Sequence, residues 1–164
     1  MSSFITSPVT LLLQHESIAY EVIEIPLTED KKPVRNLEEL LQKQDIDPQS
    51  VIRSVLFKTA SEKFVLLAVA GGGRADWGVL RKHLNERKCR MAEFEEVSEV
   101  TGYVVGAVPP IALPEDIQVL VDNSVKDYET VVIGSGVFGF ALSLKSTDLL
   151  KLLGNAEHGL FTSV

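Results

Sequence analysis

The sequence predicts a mixed α/β (α+β) fold, in which helices surround a curved mixed β-sheet or partly closed barrel. Its 164 residues are 45% hydrophobic and 24% charged, a length and composition that suit one globular domain over residues 1–164. Predicted strands come in hairpin-like pairs, and predicted helices lie between the pairs. This alternation favours a mixed sheet covered by helices.

The chain begins with a short helix and an early strand. Ser7 precedes a proline, as at many helix starts, and apolar residues then share one face as far as about His15. The alternating segment Ala19–Ile25 predicts a strand near a sheet edge, because Pro26 follows it. A capping-box pattern predicts a second helix over Leu37–Gln44.

A hairpin is predicted next, from two β-branched and apolar runs, Val51–Thr59 and Lys63–Ala70. Three glycines end the second run, and Asp76 then has the position of an N-cap for a helix ending at Leu84. A strand fragment is expected near Cys89–Met91.

The second half of the chain contains the most unusual loop. A helix from about Glu93 to Val100 is expected to end at Gly102, and Gly102–Pro114 holds too many glycines and prolines for regular structure. The tail after Asn155 is expected to be loosely held. Three more strands and a last helix are predicted over Ile117–Val121, Thr130–Ile133, Phe138–Leu144 and Thr147–Leu153.

Composition argues against several classes of protein. The apolar runs are far shorter than the ~20 residues that span a bilayer, and Met1–Leu13 lacks the basic start of a signal peptide. We therefore expect a soluble, cytoplasmic protein. The single cysteine and the scattered His15, His83 and His158 form no ligand pattern. No metal and no cofactor are expected.

Basic charge is concentrated in one segment of an acidic chain. The formal net charge is −7, yet Arg74–Arg90 carries six basic and two acidic side chains, so this segment is +4 and the remainder is −11. Such a run is usually a solvated helix face. The alternative is a local binding site for phosphates on a protein whose acidic body rejects indiscriminate nucleic-acid binding.

Three glycines spell the dinucleotide-binding pattern G-x-G-x-x-G at Gly134, Gly136 and Gly139. That pattern works only as a turn from a strand into a helix. The residues after Gly139 alternate at a period of two and so predict a strand. The glycines therefore favour a tight turn between strands. A nucleotide-binding enzyme is accordingly the weakest of the functional hypotheses.

Lys58 lies inside a predicted strand, on the face that Leu56 and Ser54 share. An edge lysine that guards against aggregation, or one that reaches to water, is the commoner reason for this pattern. The alternative is a functional role, in which the Lys58 ammonium is fixed, points into a concave site and binds a carbonyl or phosphate oxygen. Cys89 receives no role, and for Asp122 a turn or capping role is the default.

Together these segments resemble the YbaK/ProX family, over roughly Val51–Leu153. That family includes freestanding relatives of the editing (insertion) domain of bacterial prolyl-tRNA synthetase, which hydrolyse mischarged aminoacyl-tRNA. The string Thr-Gly-Tyr-x-x-Gly-x-x-x-Pro together with an upstream strand lysine is fairly specific. The resemblance rests on Val55–Thr59, Arg74–Asp76, Thr101–Pro110, Val119–Asp122, Gly134–Gly139 and Ser146–Leu150.

The resemblance implies a set of site residues. Lys58 takes the position of the family's essential lysine, and Gly106 with Pro110 takes the G-x-x-x-P loop that shapes the aminoacyl pocket. The implied substrate-binding residues are Thr101, Gly102, Gly106, Ala107, Pro110, Asp122 and Gly136. With Arg74 included, the basic segment offers RNA-binding candidates at Arg74, Arg81, Lys82, Arg87 and Lys88.

The sequence also departs from the better-known members of the family. Ala107 and Pro109 replace residues that are more often glycine and serine, Ala112 takes a position that is often glycine, and Phe138 stands where a basic residue is common. The first three positions lie near the side chain of the bound amino acid. The departures therefore bear on which amino acid is removed and on one phosphate contact.

The resemblance implies a trans-editing aminoacyl-tRNA deacylase, a hydrolase of the aminoacyl ester. Its expected substrate is tRNA(Pro) that carries a small amino acid such as Cys or Ala, bound through the acceptor stem and CCA end. Prolyl-tRNA synthetase is the implied protein partner. The competing hypothesis is a noncatalytic module that binds an amino acid or aminoacyl-tRNA in regulation.

Overall fold

The computed structural model describes residues 5–25, 41–42, 45–71, 73–154 and 156–163. Residues 41 and 42 are helical, and the rest of the helix predicted over Leu37–Gln44 lies outside the described residues. None of the helices in the described ranges is long and apolar enough to cross a membrane. The helices with full bounds are α1 (Pro8–His15), α2 (Trp77–Leu84), α3 (Phe94–Thr101) and α4 (Ser146–Leu153).

Ten strands in the described ranges form three sheets. The largest has the order β5-β2-β3-β6-β9 and is mixed, because β6 runs parallel to both β3 and β9. An antiparallel sheet has the order β1-β8-β7, and β4 pairs with β10. Their bounds are β1 (Glu21–Glu24), β2 (Arg53–Thr59), β3 (Phe64–Val69), β4 (Arg74–Ala75), β5 (Cys89–Met91), β6 (Gln118–Asp122), β7 (Thr130–Gly134), β8 (Phe140–Lys145), β9 (Glu157–Gly159) and β10 (Thr162–Ser163).

The two larger sheets meet at the start of β2. Val51 forms an isolated parallel bridge with Val132 on β7, and the Ile52 N–H donates to the Val132 carbonyl at 2.7 Å. This junction forms a concave surface from both sheets, but the strands in the described ranges do not close into a barrel. The predicted mixed α/β class is confirmed.

Two apolar clusters hold the layers together. The larger one packs α1 and α4 against β7 and β8 through fully buried side chains such as Leu13, Leu142 and Leu149. The second lies under α2 and includes Phe57 and Leu80. Full burial of one such side chain stabilises the fold by about 1.5–3 kcal/mol.

Two predicted helix caps are present in the structure. Ser7 begins α1, where its Oγ accepts from the Thr10 N–H at 3.2 Å and donates to the Ser135 carbonyl at 2.6 Å. Asp76 begins α2 and accepts from the Val79 N–H at 3.2 Å. The Ser7 bond also ties α1 to the glycine-rich turn between β7 and β8, which is the turn predicted in place of a nucleotide-binding helix.

The expectation of a loosely held tail is wrong. Residues Glu157–Gly159 add a parallel strand beside β6, and Phe161 is only 2% exposed because its ring packs in the cluster under α2. The Phe161 N–H also donates to Asp122 Oδ1 at 2.8 Å. Burial of one aromatic side chain and a buried carboxylate acceptor therefore hold a segment whose sequence alone suggests fraying.

Candidate functional site

Strand β2 contributes to two separate cavities, one near each end. The larger, here called the apolar pocket, has a volume of about 560 Å³ and lies beneath the junction of the two larger sheets. Its walls come from the start of β2, the segment 91–97, the loop 105–108 and the facing strands β7 and β8. Its lining includes Ile52, Arg53, Ser54, Leu56, Met91, Phe94, Val105, Gly106, Val108, Ile133, Gly134 and Phe140.

Gly106 reaches this pocket because the loop around it is bound to the glycine-rich turn. Gly106 has a φ of +96°, a left-handed conformation that favours glycine. The Ala107 carbonyl accepts from the Gly136 N–H at 2.9 Å. A Cβ at Gly134 would lie 2.4 Å from the Val108 carbonyl oxygen, so only glycine lets the two backbones approach this closely.

The other end of the loop is fixed by side-chain hydrogen bonds. Thr101 Oγ1 donates to the Val97 carbonyl at 2.6 Å and accepts from the Tyr103 N–H at 3.1 Å. The Tyr103 hydroxyl donates to the Ala112 carbonyl at 2.6 Å, and burial raises the pKa of this phenol. These contacts give the irregular loop a defined shape without regular secondary structure.

Two polar side chains stand out in the apolar lining. Arg53 is the only ionisable residue among the described residues that line the pocket, and its guanidinium donates to the Gly73 carbonyl. The Ser54 hydroxyl is buried and has no hydrogen-bond partner within the described part of the chain. A buried hydroxyl without a partner costs free energy.

The second cavity, here called the basic cleft, has a volume of about 360 Å³ near the other end of β2. Lys58 reaches into it, and its Nζ lies 5.4 Å from the centre of the Phe64 ring. The five cationic side chains that line the cleft are Lys58, Arg81, Arg87, Lys88 and Arg90.

An ion pair fastens α3 beside this cleft. Arg90 on β5 donates to Glu96 on α3 through two nitrogens, at 2.7 and 3.1 Å. The Arg90 guanidinium, helped by the Glu93 N–H and the charge of Lys58, lowers the pKa of Glu96 to about 2. Because α3 carries Phe94 and Val97 into the apolar pocket, this pair also positions one wall of that pocket.

Residues 31–152, most of the chain, match the family of aminoacyl-tRNA editing domains. The chain belongs to this family. Membership confirms the predicted family.

Several curated relatives are bacterial proline–tRNA ligases. The ligase of Kosmotoga olearia is 26% identical over 76% of this chain and 20% of its own length. The Aquifex aeolicus ligase is 30% identical over 69% of this chain and 22% of its own, and that of Bacillus velezensis is 34% identical over 65% and 19%. The chain thus spans about a fifth of the length of these relatives.

Two solved structures share the fold over their whole length. One, described as a candidate trans-editing enzyme for prolyl-tRNA synthetase, has a TM-score of 0.77 at 22% identity and covers 98% of this chain and 100% of its own. The hypothetical protein APE2540 has a TM-score of 0.80 at 20% identity, and the match covers 96% and 100% of the two chains.

The prediction that Lys58 faces the Gly106 loop across one pocket stays a prediction. Lys58 lines the basic cleft of this editing domain, and Gly106 lines the apolar pocket. Lys58 shares its strand face with Ser54 and Leu56, which line the apolar pocket. It pairs with Arg90, whose neighbour Met91 also lines that pocket, so Lys58 stands where the two cavities adjoin.

Asp122 and Gly136 lie outside both cavities. The buried Asp122 carboxylate accepts from the Ser124 N–H at 3.0 Å and from the Phe161 N–H, so it fixes the end of β6 and the tail. Gly136 has a φ of +84°, and a Cβ there would lie 2.9 Å from the Tyr103 ring. Both residues shape the domain, in keeping with a turn or capping role.

The remaining candidates for substrate binding divide in the same way. Gly106 lines the apolar pocket, whereas Thr101, Gly102, Ala107 and Pro110 hold the loop from outside the lining. Gly102 ends α3 with a φ of +82°. These four residues fix the backbone that presents Gly106.

The structure separates the RNA-binding candidates into two groups. Arg81, Arg87 and Lys88 line the basic cleft, whereas Arg74 on β4 and Lys82 on α2 are exposed outside it. Sequence reasoning missed Arg53, Ser54 and Phe94 as pocket residues. The first two stand on the same predicted strand as Lys58, so a sequence search that asked for every polar residue of that strand could have found them.

Proposed function

We propose that this editing domain hydrolyses the aminoacyl ester of mischarged tRNA in trans, with tRNA(Pro) carrying a small amino acid such as Cys or Ala as its substrate. The observation that carries the proposal is the apolar pocket, which Gly106 of the irregular loop lines together with Ser54 and Leu56 of β2. The chain acts as a single domain in the cytoplasm, where charged tRNA is found, and needs no cofactor.

The size and lining of the pocket suit this substrate. A volume of about 560 Å³ falls within the usual range for small-ligand sites and admits an aminoacylated ribose. The largely apolar walls favour a small uncharged side chain, because a charged one would lose its hydration without a partner.

The chemistry needs few protein groups, because an aminoacyl ester is already activated. Water adds to the carbonyl carbon, the bond to the ribose oxygen breaks, and that oxygen takes up a proton. In the removal of cysteine, the substrate's own thiol can attack first. The described lining contains no His, Cys, Asp or Glu that could act as nucleophile or base. The protein therefore acts by holding the reactants and stabilising the developing oxyanion.

Lys58 supplies the cation in this proposal, as the resemblance implies. It stands on the strand face of Ser54 and Leu56, and its ammonium is a compact charge that can bind an ester or phosphate oxygen. Arg53 stands on the opposite face of β2, where its guanidinium donates to the Gly73 carbonyl, which is not part of the pocket lining. The relation to proline–tRNA ligases supports tRNA(Pro) as substrate and prolyl-tRNA synthetase as the partner that releases it.

A deacylation assay with matched variants tests the proposal. Mischarged Cys-tRNA(Pro) and Ala-tRNA(Pro), with Pro-tRNA(Pro) beside them, are incubated with wild type, Arg53→Ala and Lys58→Ala. Wild type should release Cys or Ala faster than Pro. Lys58→Ala should lower kcat about 100-fold, as the loss of one oxyanion donor does. Arg53→Ala is the matched control and should leave kcat within about twofold, because its guanidinium is bound to the Gly73 carbonyl on the other face of the strand.

Two results would contradict this proposal. If Arg53→Ala abolished turnover and Lys58→Ala did not, Lys58 would not be the catalytic cation. If wild type bound mischarged tRNA tightly and released no amino acid from any substrate in the panel, the chain would be a noncatalytic binding module.

A further inference from the structure

An exposed apolar rim surrounds the mouth of the pocket. Phe94, the first residue of α3, is 71% exposed, and Met91 and Val105 are 53% and 44% exposed. All three line the apolar pocket. An aromatic side chain so exposed beside a pocket is a candidate contact for a ligand that extends out of it.

The rim continues into the basic cleft along one short strand. Cys89 and Arg90 of β5 line the cleft, whereas Met91 of the same strand lines the pocket. Arg90 pairs with Glu96 on the helix that begins at Phe94, so the position of Phe94 relative to the cleft is fixed. A ligand that crosses the rim from the pocket therefore reaches five clustered cations.

From this arrangement we infer that Phe94 is the stacking platform for the terminal base of the tRNA that the editing domain deacylates. This inference rests on the proposed function. With the aminoacyl group in the pocket, the unpaired terminal adenine leaves through the mouth and stacks on the Phe94 ring. The preceding phosphates then lie toward the basic cleft. Arg90 is paired with Glu96, but the other four cations of the cleft would gain no counter-charge from a neutral apolar partner. Charge complementarity therefore selects a nucleic-acid strand as the occupant of this rim.

The physical reason for the fit is the planar face of a base. Unpaired bases stack on aromatic side chains, and the contact tolerates any base. Phe94 supplies such a face, and because most of its side chain is exposed to water it contributes little to the packing of the fold. Its replacement should therefore alter binding of the nucleotide while the fold stays intact.

A direct test places 2-aminopurine, a fluorescent adenine analogue, at the 3′ end of uncharged tRNA. Binding to wild type should quench its fluorescence, because stacking quenches the probe. Phe94→Ala should weaken binding about 10-fold and remove most of the quenching. Phe94→Trp should restore both, and Leu160→Ala, which removes an equally exposed side chain at 68%, should behave as wild type. Because this titration needs no turnover, it remains decisive if the proposed deacylation fails.

A second substrate separates base stacking from damage to the pocket. On mischarged tRNA, Phe94→Ala should lower kcat/KM about 10-fold. On an aminoacyl ethyl ester, which has the same ester and no base, the variant should lose much less activity, because most of the Phe94 side chain lies outside the pocket. Undiminished quenching in Phe94→Ala, or an equal loss on both substrates, would overturn the inference.

Discussion

The two cavities at opposite ends of β2 differ in almost every physical property. The apolar pocket carries one ionisable side chain among its described lining residues, whereas the basic cleft carries five cations. The pocket is bounded by backbone that hydrogen bonds fix from two sides, and the cleft by long side chains from a helix, a turn and two strands. The difference suggests a division of labour, in which the pocket holds the reacting ester and the cleft holds phosphates.

This contrast shows why the cationic residues of β2 do not share one cavity. Successive residues of one strand pass from one chemical environment to another within a few ångströms, at about 3.3 Å per residue. Arg53 and Lys58 lie on the same strand and are both cationic, yet they line different cavities. Residue type and strand position alone do not distinguish them.

The largest expected effect comes from breaking the pocket at Gly134. In Gly134→Ala the new Cβ would lie 2.4 Å from the Val108 carbonyl oxygen, so the loop that carries Gly106 must shift. We expect the free energy of unfolding to fall by about 2–3 kcal/mol. A displacement near 1 Å at a reacting group also lowers kcat/KM about 100-fold. Urea denaturation and deacylation kinetics measure the two effects.

Gly78→Ala is the matched control for that substitution. Gly78 lies in α2, where the nearest atom to a new Cβ is Asp76 Oδ1 at 3.4 Å. Alanine is the better helix former, so this variant should be more stable by up to about 1 kcal/mol and fully active. If Gly134→Ala were equally stable and active, the close contact between loop and turn would not shape the pocket.

Local sequence signals predicted most elements, because local interactions fix them. The N-cap residues Ser7 and Asp76 mark where α1 and α2 begin. The alternation of residues over 130–144 predicts strands on both sides of the glycine-rich turn. The irregular loop was also predicted, since its glycines and prolines disfavour regular structure locally. These predictions need no knowledge of distant residues.

Long-range contacts account for what the sequence did not predict. The tail is held by Phe161 and Asp122, which are 39 residues apart, so no local pattern marks their contact. The pocket joins β2 to strands some 80 residues later through the junction of Val51 and Val132. The apolar pocket emerges only from that junction, and composition gives no sign of it.

Charge reversal in the basic cleft should have an intermediate effect on activity and should leave the pocket chemistry unchanged. In a variant with both Arg81→Glu and Arg87→Glu, we expect KM for mischarged tRNA to rise about 10-fold, because two phosphate contacts become repulsive. The value of kcat should not change. The slope of log kcat/KM against log salt concentration should flatten by about 1.5. Steady-state kinetics at several salt concentrations measure all three quantities.

The control places the same change in net charge outside the cleft. Arg74 and Lys82 are exposed on β4 and α2 and line neither cavity. A variant with Arg74→Glu and Lys82→Glu should keep KM within about twofold and retain the wild-type salt slope, since long-range attraction is screened at physiological salt. Equal losses in both double variants would mean that overall charge, and not the cleft, attracts the tRNA.

The smallest expected effect concerns strain in the pocket loop. Ala112 has a φ of +57°, a left-handed conformation that costs a side-chain-bearing residue about 1–2 kcal/mol. Ala112→Gly removes that cost but adds about 0.4–1 kcal/mol of chain entropy to the unfolded state. We therefore expect a net gain of about 0.5 kcal/mol in the free energy of unfolding, measured by urea denaturation.

Ala107→Gly, in the same loop, should change the free energy of unfolding in the opposite direction. Ala107 is fully buried and has no positive φ, so glycine there adds only unfolded-state entropy and a small loss of packing. This variant should be less stable by about 1 kcal/mol. If both glycine variants lost stability, the left-handed turn at Ala112 would not be a strained point of the pocket wall. Because neither residue lines the basic cleft, the salt dependence of tRNA binding should stay at its wild-type value in both variants, which separates the rigidity of the pocket from the charge of the cleft.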